Sequence, residues 1–286
     1  MKSNTPRRRR QAVPKIRDAF PGVFSRATPI VHEQQPLIFG ASLLRFHPIE
    51  AALVLSQSFD DSSEGPREKF LGGYSILAGI LKRRPGDSYK WLFEPCGKNA
   101  VSIRTLKSDE SLGTLLDLFQ ETRFGFTVIK EKHLKAMVGM SDVLRLYGER
   151  RVDTKLTAKE VASPAIAVEP GTPLRTALGI MFEKRVRKLV IKGRRALVSD
   201  REIISYIFSP LKLKQTRESP GSLARTRIGD AVPVEVDEIP NNSPLHEVAA
   251  KLLAANGNTV MCGAGVVTPW DVVIKPWAAG RLEFKS

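Results

Sequence analysis

At 286 residues the chain has the length of about two ordinary domains. With 42% hydrophobic and 26% charged residues, wholesale disorder is excluded, and two cysteines, Cys96 and Cys262, in no CxxC or Cys/His spacing give neither a disulfide framework nor a zinc site. Lys+Arg number 45 against 30 Asp+Glu, a net charge of +15, which attracts nucleic acid, an anionic membrane surface or an acidic protein.

The first segment, residues 1–18, carries seven basic residues and one acid. Pro6 and Pro14 block a long helix, so residues 1–23 read as a basic N-terminal arm. No apolar core follows Arg7 to Arg10, so no signal peptide is expected, and no run reaches the roughly 18 apolar residues of a membrane span. The expected location is cytoplasmic, with reduced thiols.

Next, residues 51–55 and 70–74 read as adjacent strands and 75–81 as a helix. Between the strands, residues 60–68 hold Asp60, Asp61, Glu64 and Glu68, a solvated acidic loop. From Val101 an ordered pattern becomes clear: strand 101–103 and Leu106, helix 112–119, strands 126–129 and 136–138, then a helix from Ser141. The order returns as 165–168, 173–182, 188–191, 196–198 and 199–208. It returns once more as 232–236, 244–255, 259–261, 265–267 and 268–274. The period is roughly 60 residues. Thr172-Pro173 and Ser243-Pro244 predict a hydroxyl N-cap with proline in the first turn. Residues 209–227, with Pro210, Pro220, Gly221, Lys212 and Lys214, read as a basic linker.

The closing helices start with a repeated spelling: Gly265-Val-Val-Thr268-Pro-Trp-Asp271-Val-Val and, less closely, Leu197-Val-Ser199-Asp-Arg-Glu202-Ile-Ile. With the strand-helix-strand-strand-helix order, this resembles the cystathionine-beta-synthase (CBS) domain. The resemblance implies an α/β (α+β) fold of four CBS motifs in two pairs, 24–150 (motifs 1 and 2) and 151–286 (motifs 3 and 4). It implies no required cofactor but an adenine nucleotide, AMP or ATP, as a ligand. Thr268 and Ser199 would then meet phosphate, and Asp271 and Glu202 ribose. Helix chemistry agrees in part, because a helix N-terminus suits phosphate; a capping box gives the same spacing without any ligand. Two repeats depart from the pattern: Ser141 and Asp142 are adjacent, and Ser75 has no acid at Ala78.

Residues 184–195 contain Lys184, Arg185, Arg187, Lys188, Lys192, Arg194 and Arg195 and no acid. Cations so placed repel one another unless a polyanion compensates. With Arg7, Arg8, Arg9, Arg10, Lys15, Arg17, Lys212 and Lys214 they form the expected nucleic-acid-binding set. Arginine bonds phosphate bidentately, no DNA-reading motif is present, and aromatics are only 7%, which favours structured RNA over single strands. CBS proteins without an effector domain include an archaeal ribosome hibernation factor. That resemblance implies ribosomal subunits, rRNA and ribosomal proteins, as partners and inhibition of translation by occlusion. The alternative is a nucleotide sensor acting on a partner enzyme. His32, His47, His133 and His246 lie far apart and no nucleophile or phosphate-loop motif occurs, so no enzyme is expected. Trp270 and Trp277 read as packing residues.

Overall fold

A computed structural model describes residues 13–46, 51–56, 67–84, 88–255 and 257–285. Arg7 to Arg10, His47 and most of the acidic loop lie outside them. The chain enters through α1 (Ile16–Ala19). Motif 1 follows as β1 (Ile30–His32), α2 (Leu37–Phe46), β2 (Ala51–Leu55), β3 (Arg67–Gly72) and α3 (Gly73–Lys82). Short α4 (Ser88–Trp91) and α5 (Cys96–Asn99) lead to β4 (Val101–Arg104). Motif 2 is β5 (Leu106–Lys107), α6 (Leu112–Thr122), β6 (Phe126–Glu131), β7 (Leu134–Gly139) and α7 (Met140–Gly148). Then come β8 (Val152–Asp153), α8 (Ala158–Val161) and β9 (Ser163–Pro164). Motif 3 is β10 (Ala167–Val168), α9 (Leu174–Glu183), β11 (Lys188–Ile191), β12 (Ala196–Ser199) and α10 (Asp200–Ile207). Beyond α11 (Pro210–Glu218), α12 (Ser222–Arg225) and β13 (Val234–Glu235), motif 4 contains α13 (Leu245–Ala254), β14 (Val260–Cys262), β15 (Gly265–Val267) and α14 (Pro269–Ala278), and β16 (Glu283–Phe284) pairs back on β8.

The motifs exchange segments. β4, which precedes motif 2, extends the sheet of motif 1, Phe70 opposite Val101. β9, before motif 3, joins motif 4, and β13, before motif 4, joins motif 3. Strands 101–103 and 232–236 therefore do not open the sheets of the repeats that follow them, as the sequence reading had them. The reason is that a short strand before a helix pairs with whichever sheet edge is open, and sequence order does not choose that edge.

Sheets meet within the 1/2 pair. Ala51, Leu53, Phe70, Ile103, Phe126 and Val128 form one buried cluster, with the Phe70 and Phe126 rings 5.4 Å apart at 62°. Helices meet across the molecule: α3 packs on α9 and α10, and α7 on α13 and α14. Close approach has visible consequences. A Cβ on Gly73 would lie 2.7 Å from Asp200 Oδ2 and 3.1 Å from Ile204 Cδ1. At the other contact, Pro276 lies inside α14 and supplies no amide for the Val272 carbonyl four residues earlier. The buried Tyr147 hydroxyl of α7 donates to that carbonyl at 2.7 Å. Trp270 and Trp277 serve the same junction: Arg123 of motif 2 lies 5.1 Å from the Trp270 ring centroid, and Trp277 Nε1 donates to Asp117 at 2.7 Å.

Three local expectations change. Residues 13–23 of the expected arm pack on motif 2: Ile16 (0% exposed), Ala19, Phe20 and Val23 enter its core, and Leu112 donates its amide to the Pro14 carbonyl. Four apolar side chains in eight residues are enough to order a short segment against an existing core, though not alone in water. The basic linker forms α11, begun by a Ser209 cap with Pro210 in the first turn. The proposed Thr172 and Ser243 caps shift by one, because Pro173 and Pro244 themselves hold the extended cap position.

Candidate functional site

Each motif runs from its last strand directly into its closing helix, and the residue at the turn caps that helix. The caps are Gly72, Gly139, Ser199 and Thr268. Three residues on, Ser75, Asp142, Glu202 and Asp271 fold back to accept the cap amide at 3.1, 2.9, 2.8 and 2.8 Å. Asp142 is thus the equivalent of Asp271. Sequence reading missed it by pairing Asp142 with its neighbour Ser141, since a glycine cap has no side chain to announce it. The available signal was Gly139 three residues before the acid.

The two acids of motifs 2 and 4 are already engaged by the chain's own donors. Asp271 is 2% exposed. Its Oδ2 accepts from the Thr268 hydroxyl at 2.7 Å, and its Oδ1 accepts from Ser163 Oγ at 2.6 Å and Lys275 Nζ at 2.9 Å. Lys275 is held there by a further donation to Ser163 Oγ at 2.9 Å. In motif 2, Asp142 Oδ1 accepts from Arg26 and Arg145, each at 2.6 Å. A ribose approaching either carboxylate would have to displace a cation.

Motif 3 differs. One oxygen of the half-buried Glu202 accepts the Ser199 amide and hydroxyl, and among the described residues Glu202 forms no ion pair. What lies across the ladder explains the difference. The β15/β9 register sets Val266 opposite Ser163, whereas the equivalent β12/β13 register sets Leu197 opposite Val234. An apolar side chain replaces the serine that binds Asp271. Val232, on the chain leading into β13, is 75% exposed. The motif 3 cap therefore combines a carboxylate without a cation and helix N-terminal amides, groups that suit ribose hydroxyls and phosphate.

The expected cationic set divides. Arg187 pairs with the buried Asp200 at 2.7 Å, Lys192 with Glu169 at 2.6 Å, Arg195 with Glu238 at 3.1 Å and Lys184 with Glu183 at 2.8 Å. Lys188 Nζ donates to the carbonyls of Gly257 and Asn258 and to Thr259. Four of the seven cations in the stretch without acids thus find counter-ions within the fold. Arg185 and Arg194 are exposed, with no ion pair among the described residues. Lys15, Arg17 and Lys214 are exposed as well. Lys212 is not: it is 6% exposed on the inner side of α11, so it cannot reach a nucleic-acid backbone passing over the surface. Glu68, expected in the solvated loop, lies on β3 and bridges Lys130 at 2.9 Å and Lys135 at 3.0 Å. Burial pushes its carboxyl up, but the hydrogen bonds from Lys130 and Lys135 outweigh this and leave it below its ordinary value. Cys96 and Cys262 are free and buried. Among the described residues no His/Cys/Asp/Glu group could hold a metal, and no helix is long and apolar enough to cross a membrane.

Comparison with known proteins bears on this arrangement. The CBS domain model matches residues 158–209, the segment that contains Ser199 and Glu202. Protein MJ1225 from Methanocaldococcus jannaschii, a proposed archaeal homologue of g-AMPK, superposes with a TM-score of 0.76 over 91% of this chain and 99% of its own, at 13% identity. The CBS-domain containing protein ATU1752 from Agrobacterium tumefaciens matches 47% of this chain and 94% of its own, with 13% identity and a TM-score of 0.39. The CBS domain protein PAE2072 from Pyrobaculum aerophilum, complexed with AMP, matches 45% and 89%, with 13% identity and a TM-score of 0.35. A search of curated proteins finds no match. Residues 158–209 thus match the CBS domain model, and the chain as a whole has a CBS-type fold, shared with MJ1225.

Proposed function

We propose that this protein is a non-enzymatic regulatory module that binds an adenine nucleotide at the motif 3 cap and transmits its occupancy to a partner protein. The observation that carries this reading is Glu202, a cap carboxylate with no cationic partner among the described residues, on the helix that follows β12, whose Leu197 pairs with Val234. Base would lie against Val232, ribose hydroxyls on Glu202 and phosphate toward the start of α10. Titration calorimetry with AMP, ADP and ATP tests it. We expect saturable binding of one nucleotide per chain, lost in Glu202→Ala and Val232→Asp. No heat with any of the three, or undiminished binding to Glu202→Ala, refutes it.

A second reading rests on the exposed cations Arg185, Arg194 and Lys214. These suit phosphates of structured RNA, and we infer ribosomal subunits as that partner. Co-sedimentation with separated subunits across a salt series tests it. Saturable binding at physiological salt is expected, its salt slope falling by roughly 0.7 to 0.9 for each phosphate contact removed by Arg185→Glu or Arg194→Glu. Unsaturable binding lost at moderate salt refutes it.

A further inference from the structure

Two helical turns beyond the Ser199 cap, α10 and the segment joining motifs 3 and 4 line a wide-open surface cavity of about 550 Å³, bordered among others by Tyr206, Lys212, Ser222, Arg225 and Asp230. Lys212 sits at its floor, 6% exposed, with Nζ 5.3 Å from the Tyr206 ring centroid. Among the described residues this ammonium has no hydrogen-bond acceptor and no ion pair. Asp230 lies near, but its Oδ2 accepts the Arg227 amide at 2.8 Å. Burial lowers the Lys212 ammonium below the ordinary lysine value. A partly desolvated ammonium with a ring face and only a shared carboxylate nearby is undercompensated. The deficit falls away when an anion enters the cavity.

The rest of the lining narrows the choice of anion. Arg225, its guanidinium steadied by the Ser219 hydroxyl at 3.0 Å, brings a second cation to the same space. Exposed Glu218 and Asp230 would repel a bare multivalent anion, yet they accept hydrogen bonds from hydroxyls. We propose that this cavity binds a phosphate ester of a polyol, with the phosphate on Lys212 and Arg225 and hydroxyls on Glu218 and Asp230. The ester is a free sugar phosphate or the terminal 5′-phosphorylated ribose of an RNA, since a backbone passing over the surface does not reach Lys212. The site is separate from the motif caps and needs none of their residues.

The test uses the full chain with ribose 5-phosphate, ribose and a 5′-phosphorylated oligoribonucleotide, followed by calorimetry and thermal shift. Saturable binding of ribose 5-phosphate but not ribose is expected, lost in Lys212→Met and retained in Arg217→Gln, an exposed cation of the same helix. Response to the oligonucleotide alone, with the same dependence on Lys212, assigns the phosphate to RNA. Unliganded Lys212→Met should melt no lower than the parent, because it removes a partly desolvated charge that has no direct ion pair among the described residues. Binding that persists in Lys212→Met overturns the proposal. So does a silent titration with a lower melting point for that variant, which would make Lys212 a strut on Tyr206. Glu202→Ala leaves this binding intact, so the failure of one site does not imply failure of the other.

Discussion

Replacing Asp271 by Asn removes one charge and almost no volume, which makes it a sharp test of the claim that motif 4 is closed by its own side chains. The carboxylate receives four donors: the Thr268 amide at 2.8 Å and hydroxyl at 2.7 Å, Ser163 Oγ at 2.6 Å and Lys275 Nζ at 2.9 Å. Asparagine can keep its oxygen toward Thr268, but its amide group then faces Lys275, donor against donor, and Ser163 must turn from donor to acceptor. A hydrogen bond to a charged group is worth about 1.5 to 3 kcal/mol, and breaking a buried pair about 3 to 5. The Lys275 side chain is 37% exposed, so water recovers part of its charge, and the low end applies: about 3 kcal/mol. For a chain of this size that lowers the melting midpoint by roughly 6 to 12 °C. Lys275→Met should cost only about 1 kcal/mol, because Asp271 keeps three donors and the lysine is partly screened. Urea denaturation of the two single variants and the double variant gives the coupling directly. A cost below about 1 kcal/mol for Asp271→Asn would mean that the carboxylate is not locked, and the argument that confines the ligand to motif 3 would fail.

Tyr147→Phe should cost about 2 kcal/mol in urea melts, since it strands the Val272 carbonyl that Pro276 cannot serve. Glu68→Gln tests a pH dependence. The folded carboxyl lies below its ordinary value of 4.5, so its stabilisation is present above that pH and is lost as pH falls through the lowered folded value. The stability gap between parent and variant should therefore close in acid, and a gap independent of pH would refute the assignment. Gly73→Ala should destabilise by about 1 to 3 kcal/mol through overpacking against Asp200 and Ile204, and a neutral result would show that the α3/α10 contact is looser than described.

The repeat was legible because each motif spells its strands and helices locally. Leu112, Leu115, Leu116 and Phe119, at helical spacing, all enter one core, and the hairpin from Lys188 to Ser199 pairs in the expected antiparallel sense. What escaped was everything set by a segment distant in sequence. Segment exchange could not be read, because β4, β9 and β13 are two to four residues long and carry no mark of which sheet they join. The charge run from Lys184 to Arg195 was counted correctly, but its counter-ions Glu169, Asp200 and Glu238 lie outside it. Lys212 looked like one more surface cation because amphipathic patterning is weak in a helix with few apolar residues, and a lysine stem packs as readily as it projects.

The same distance effect decides which caps can take a ligand. By spelling alone, Thr268 and Asp271 are the better match to the family and Ser199 and Glu202 the poorer one. The structure reverses the order of availability. Asp271 is engaged by Ser163, which lies 108 residues earlier and reaches it only because β9 has crossed to the sheet of motif 4. The residue at that place beside Glu202 is Val234, which has no donor to offer. A serine-to-valine difference on an exchanged strand, together with Tyr206 at the place of Lys275, thus separates a cap that holds itself from a cap that presents its carboxylate. Val234→Ser should accordingly weaken nucleotide binding at motif 3 without removing any residue that touches phosphate. Unchanged affinity in that variant would show that the occupant of the exchanged strand does not control the cap.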